Sequence, residues 1–199
     1  MAVVVLDVDG VVVARPKVFS VRWSEKNNVP IEKILEFIKG DFQRCLVGQG
    51  DLKEVLPKWL KYWGTNEDVE KVMEFWFSGE AEVNTEMMEE IEELRRHGIK
   101  CYLATNNEKY RVEYLRDKVG LASKVDGILS SADLGAKKPH REFFTKLQSM
   151  IGVSNPNEIW FWDDDEENVA GAQKAGWRAR LFVGVEGFSK EVKLVDGRD

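Results

Sequence analysis

The chain is poor in residues that staple a fold, bind soft metals or cross a membrane. Its 199 residues include two cysteines and two histidines. Cys45 and Cys101 are far apart, without the spacing of a metal knuckle, and Cys101 lies in an apolar, strand-like run. Both are expected to be reduced thiols of a cytosolic protein. His97 and His140 are isolated, which argues for surface helix positions and against transition-metal chemistry. No apolar run approaches bilayer-spanning length, and no basic region precedes the short apolar stretch at the start, so neither anchoring nor export is expected. A long basic stretch is also missing. With 29 basic and 35 acidic residues the formal charge is -6, which argues against extended nucleic-acid binding. A small anionic ligand would need positive charge supplied locally.

What the chain does have is an apolar start, Val3 to Leu6, that runs into Asp7-Val8-Asp9-Gly10. Residues two apart on a strand point the same way, so Asp7 and Asp9 face one locus, and Gly10 permits a sharp turn and a close approach. Two adjacent carboxylates repel, and a divalent cation, a shared proton or a basic side chain must offset that. An ordinary surface turn is the competing reading.

The pattern beyond this start divides in two. Between Ile31 and Phe77 apolar residues recur at helical spacing, with Gly40, Gly48-Gln49-Gly50 and Gly64-Thr65-Asn66 as turns. No strand precedes the Gly48 turn and no Lys-Ser/Thr follows it, so it reads as a helix connection, not a phosphate loop. From about Val83, helices alternate with strands. Helices are predicted over 86–97, 108–119, 141–151 and 166–175, and strands over 99–104, 127–129, 159–162 and 179–183. Such alternation implies βαβ units and an α/β fold, a Rossmann-like parallel sheet flanked by helices. We expect a core of residues 1–13 and 83–199, with an inserted helical domain over 14–82.

Ligands of parallel sheets bind beyond the C-terminal ends of the strands. The predicted ends carry, in order, Asp7 and Asp9, then Thr105-Asn106-Asn107, then Lys137-Lys138-Pro139, then Asp163-Asp164-Asp165. Each group has a plain alternative: helix capping for Thr105 and its neighbours, a solvated loop for the lysines, a helix N-terminus for the acids. Together they describe a magnesium and phosphate site, with oxygen ligands for a hard cation and a lysine and hydroxyl for phosphoryl oxygens. A calcium loop begun at Asp163 fails, because Asn168 stands where Gly is required and Lys174 where Glu is required.

At these positions the chain resembles the haloacid dehalogenase superfamily of phosphohydrolases over nearly its full length. The matching motifs are Asp7-Val8-Asp9-Gly10-Val11-Val12, Leu103-Ala104-Thr105-Asn106-Asn107, Lys138-Pro139 with Phe143, and Asp163-Asp164 with Asn168 and Gly176. The helical insert resembles that family's C1-type cap. The resemblance implies that Asp7 is the nucleophile, that Asp9 is the general acid and base, and that Mg²⁺ is held by Asp7, Asp164 and the main-chain carbonyl of Asp9. Asp163 is a further candidate ligand, direct or through water. Lys138 would bridge the nucleophile and the phosphoryl oxygens, and Thr105 and the Asn106 backbone would donate to the phosphoryl group. Halide-removing members lack an acid at the position of Asp9, so phosphate chemistry is implied.

The expected partner is a small phosphorylated metabolite, a sugar phosphate among the candidates, with no nucleic acid and no membrane; the protein would be a monomer or homodimer. Arg44, Lys58, Trp59 and Trp63 are the insert residues considered for substrate contact, with the helical core as the alternative for both tryptophans. The rival functions are a phosphotransferase or phosphomutase of the same fold and a non-catalytic phosphate-binding domain.

Overall fold

A computed structural model describes residues 2–14 and 17–196; residues 1 and 197–199 of the expected core, and 15–16 of the expected insert, lie outside it. Five strands, β1 (Val3–Leu6), β2 (Lys100–Thr105), β3 (Gly127–Ser130), β4 (Ile159–Asp163) and β5 (Arg178–Leu181), form one parallel sheet in the order β3-β2-β1-β4-β5. Between β1 and β2 lie α1 (Phe19–Asn27), α2 (Ile31–Lys39), α3 (Asp41–Leu46), α4 (Leu52–Tyr62), α5 (Val69–Ser78) and α6 (Thr85–Arg96). Next come α7 (Lys109–Glu113), continued by a π-helical turn over Tyr114–Lys118, then α8 (Ser131–Leu134), α9 (Arg141–Met150), α10 (Glu166–Lys174) and α11 (Val185–Asp196). Among the described residues no helix is long and apolar enough to cross a membrane.

β1 is apolar throughout because both of its faces are covered. Val4 and Leu6 join one cluster with Ile91 and Leu94 of α6 and Phe188 of α11. Val3 and Val5 join another with Phe143, Phe144 and Leu147 of α9 and Ala172 of α10. A third cluster belongs to α1–α5 and holds Trp23, Phe37, Leu56, Trp63 and Trp76. The two chain segments that connect these helices to the sheet run antiparallel, with the Ala14 amide donating to the Glu82 carbonyl at 2.8 Å and the Asn84 amide to the Val12 carbonyl at 2.9 Å.

β1 sits mid-sheet, where the strand order reverses. Leu6 is level with Leu103 of β2 and Trp162 of β4, so Asp7, Thr105 and Asp163 emerge together at the C-terminal edge.

Candidate active site

At that edge the strand ends enclose a cavity of about 170 Å³ lined by Asp7, Asp9, Thr105, Asn106, Lys138 and Asp164, with Pro139 and the start of α10. Its volume has room for a phosphoryl group.

The electrostatic centre is Lys138, which is 2% exposed. Its ammonium donates to Asp7 Oδ1 at 2.8 Å, Asp163 Oδ2 at 2.6 Å and the Ala104 carbonyl at 2.9 Å. A lysine has three N–H bonds, and all three are engaged. Lys138 therefore joins two carboxylates instead of reaching out as a free donor. Burial works to depress its pKa, but Asp7 and Asp163 outweigh that and raise it. Burial also raises the pKa of Asp7, opposed by Lys138 and reinforced by Asp163. The other lysine of the pair, Lys137, points elsewhere, its ammonium 2.5 Å from Gln43 Oε1 of α3.

Asp7 Oδ1 also accepts the Val8 amide at 2.7 Å; among the described residues no hydrogen bond falls on Oδ2, which leaves that oxygen for chemistry. Asp163 is fully buried and accepts the Asp165 amide and Asn168 Nδ2 on Oδ1, at 2.9 and 3.0 Å. It is the organiser of the cluster, while Asp164 faces the cavity. Carboxylate oxygens of Asp7, Asp163 and Asp164 lie within 4.8 Å of one another. Three hard oxygen donors with one lysine leave a net negative charge, a donor set that fits Mg²⁺ and offers nothing to a soft metal. The Asp9 carboxylate stands outside this set.

Asp9 is held instead by two residues that sequence reasoning missed as site residues. Asn107 Nδ2 donates to Asp9 Oδ2 at 2.6 Å, and Arg111 Nη2 lies 3.2 Å from Oδ1. Asn107 Nδ2 is also 2.7 Å from Thr105 Oγ1, so the hydroxyl accepts there and keeps its own proton to donate into the cavity. The helix-capping alternative for Thr105 is overturned: Glu108 caps α7, accepting the Tyr110 and Arg111 amides at 3.0 and 2.6 Å. The Asn106 side chain clasps the Lys138 backbone through two bonds of 2.9 and 3.0 Å, which leaves its backbone for any phosphoryl contact.

None of the insert residues considered for substrate contact lines this cavity. Arg44 donates to the Gln49 carbonyl at 3.3 Å, Lys58 pairs with Asp41 at 2.5 Å, and Trp59 and Trp63 pack in the helical cluster, their indoles donating to Asp41 and the Lys33 carbonyl. The polar atoms of these side chains find partners within the insert itself, where local pairing and, for the tryptophans, apolar burial outweigh exposure to a cleft.

This fold has counterparts among known proteins. A phosphatase of Mycobacterium tuberculosis is 37% identical over 92 residues, 46% of this chain and 42% of that protein. A ribulose-1,5-bisphosphate 5-phosphatase of Halopiger xanaduensis is 29% identical over 94 residues, 47% of this chain and 39% of that protein. The matches thus span less than half the length of these relatives. A crystal structure of a haloacid dehalogenase family enzyme from Bacteroides thetaiotaomicron, in a magnesium complex, superposes with a TM-score of 0.79 at 19% identity, covering 92% of this chain and 93% of that one, and so shares the fold. The sequence model of the haloacid dehalogenase-like hydrolases matches residues 1–176, nearly all of the chain and every residue of the cavity, and the protein belongs to that family.

Proposed function

We propose that the protein is a Mg²⁺-dependent phosphomonoesterase that acts on a small phosphorylated metabolite through an aspartyl phosphate on Asp7. The observation that carries this reading is the convergence of Asp7, Thr105, Lys138 and Asp164 on one cavity, with Asp9 at its wall. A divalent cation held by Asp7, Asp163 and Asp164 would offset the repulsion between a carboxylate and a phosphoryl dianion, several kcal/mol at a few Å in a partly dry site.

The chain's own groups do the rest. Asp7 Oδ2 attacks phosphorus while the bond to the ester oxygen breaks, and that oxygen takes its proton from Asp9. Water then attacks the same phosphorus and gives a proton to Asp9, and the electron pair of the broken Asp7–phosphorus linkage returns to the carboxylate. Thr105 Oγ1 donates to a phosphoryl oxygen, and Lys138 fixes Asp7 against the strand ends. Helices α1–α5 act as a C1-type cap over 14–82: they own an apolar cluster, hang on paired linkers, and touch the core beside the site through Gln43 and Lys137. Neither thiol takes part, since burial pushes Cys45 up to about 11 and Cys101 up to about 12.

The test is turnover of an aryl phosphate with Mg²⁺. Chelation should abolish it, and Asp7→Asn should lower it about a thousandfold or more. Undiminished activity in the variant would remove Asp7 as nucleophile and the reading with it.

A further inference from the structure

Arg111 is a cation in an unusual place. It is 3% exposed, on α7, and its guanidinium spans two parts of the molecule. Nη1 donates to the Phe77 carbonyl at 2.8 Å, and Nη2 to the Glu80 carbonyl and to Asp9 Oδ1, the last at 3.2 Å. Phe77 lies in the last turn of α5 and Glu80 in the segment that returns to the sheet. A buried guanidinium keeps its charge and has donors only. The Asp9 oxygen it meets is therefore an accepting one, and Asn107 places a second donor on the other oxygen.

Resting on the phosphatase reading above, we propose that Arg111 is the positioning residue that seats Asp9 as a proton acceptor for hydrolysis of the aspartyl phosphate. With both oxygens on donors from the protein, Asp9 is held in a fixed rotamer at the cavity wall. That is the arrangement needed when water attacks phosphorus, loses its proton to Asp9, and the Asp7–phosphorus linkage breaks with its electron pair kept by Asp7. The same fork grips the end of the helical unit, so the seat of Asp9 is referenced to α5 as well as to the sheet. A lysine keeps the charge but cannot span three acceptors with a planar fork.

The experiment uses 2,4-dinitrophenyl phosphate, whose leaving group needs no proton, so kcat/KM reports phosphorylation of Asp7 and kcat reports its hydrolysis. In Arg111→Lys, kcat should fall about 10- to 100-fold while kcat/KM stays within about threefold of wild type. A burst of one dinitrophenolate per active site should precede the slow phase. A parallel fall in both constants, or no change in either, would overturn the proposal while the phosphatase reading stood. No turnover by the wild-type protein would overturn that reading and the proposal with it. If Arg111→Lys does not fold, Asp9→Asn decides: the guanidinium keeps neutral acceptors but loses its buried carboxylate partner, which should lower Tm, and an unchanged or higher Tm overturns the pairing.

Discussion

At Gly10 the chain runs at φ +103, and a Cβ there would fall inside the contact distance of the Asp164 carboxylate. The glycine is required twice, by backbone conformation and by the approach of the fourth strand's acid to the first strand's turn. Gly10→Ala should therefore cost about 1 to 3 kcal/mol of stability and displace Asp164 from the carboxylate cluster. A magnesium titration of activity should show a raised half-saturating concentration; an unchanged one would separate Gly10 from the proposed cation site. Residues of this kind were legible because strand ends announce themselves: an apolar run followed by Asp7, Asp9 and Gly10 constrains direction as well as chemistry. Arg111 was not, since a lone arginine on a helix reads as solvated. Its signal was position, four residues before the fully buried Leu115 and beside the buried Val112, on the stripe that faces inward. Arg44 shows the opposite failure, for nothing in a sequence fixes which way a helix of the insert turns toward the cleft.

The elements themselves followed the sequence wherever their periodicity was long. The core strands and α6, α9 and α10 fall within a residue or two of expectation. Three helices went unread: α1, whose inward face is little more than Phe19, Ser20 and Trp23; α8, four residues long; and α11, beyond the last motif considered. The cap of α7 carries a prediction of its own. Burial pushes Glu108 up to about 7 from 4.5, opposed by the Tyr110 and Arg111 amides it accepts. A carboxyl whose pKa is raised on folding binds more protons in the native state. Its contribution is full below about pH 4.5 and is lost as pH rises through about 7, an effect of at most about 3 kcal/mol. Glu108→Gln should remove that slope, so the stability difference between variant and wild type, measured by urea unfolding, should shift in the variant's favour between pH 4.5 and 7. A pH-independent difference would mean that Glu108 ionises in the fold as it does in the unfolded chain.

For the whole molecule the decisive question is what sets the helical unit against the sheet. Besides Arg111, the contacts include Gly48, where a Cβ would stand 2.6 Å from the Ala132 carbonyl, and Asp51. Asp51 serves both sides at once. It caps α4 by accepting the Lys53 amide at 2.9 Å, and it receives Lys109 at 2.6 Å and the Tyr110 hydroxyl at 3.0 Å from α7. Lys109 is half exposed, so that ion pair adds little to stability, and the capping bond is the larger local term, about 1 kcal/mol. The two roles can be separated. Asp51→Ser keeps a side-chain oxygen for the Lys53 amide but is too short and uncharged to hold α7, whereas Asp51→Ala loses both. If Asp51 sets the placement of the helical unit, Ser should restore most of the Tm lost in Ala, yet both variants should show the same change in KM for a phosphate ester, about twofold or more, with kcat affected less. They should also be cut faster than wild type by protease in the linkers near residues 14 and 82. Equal KM in wild type and Asp51→Ser would assign the placement to the buried guanidinium of Arg111 and the close packing at Gly48, which hold their partners without help from an exposed charge.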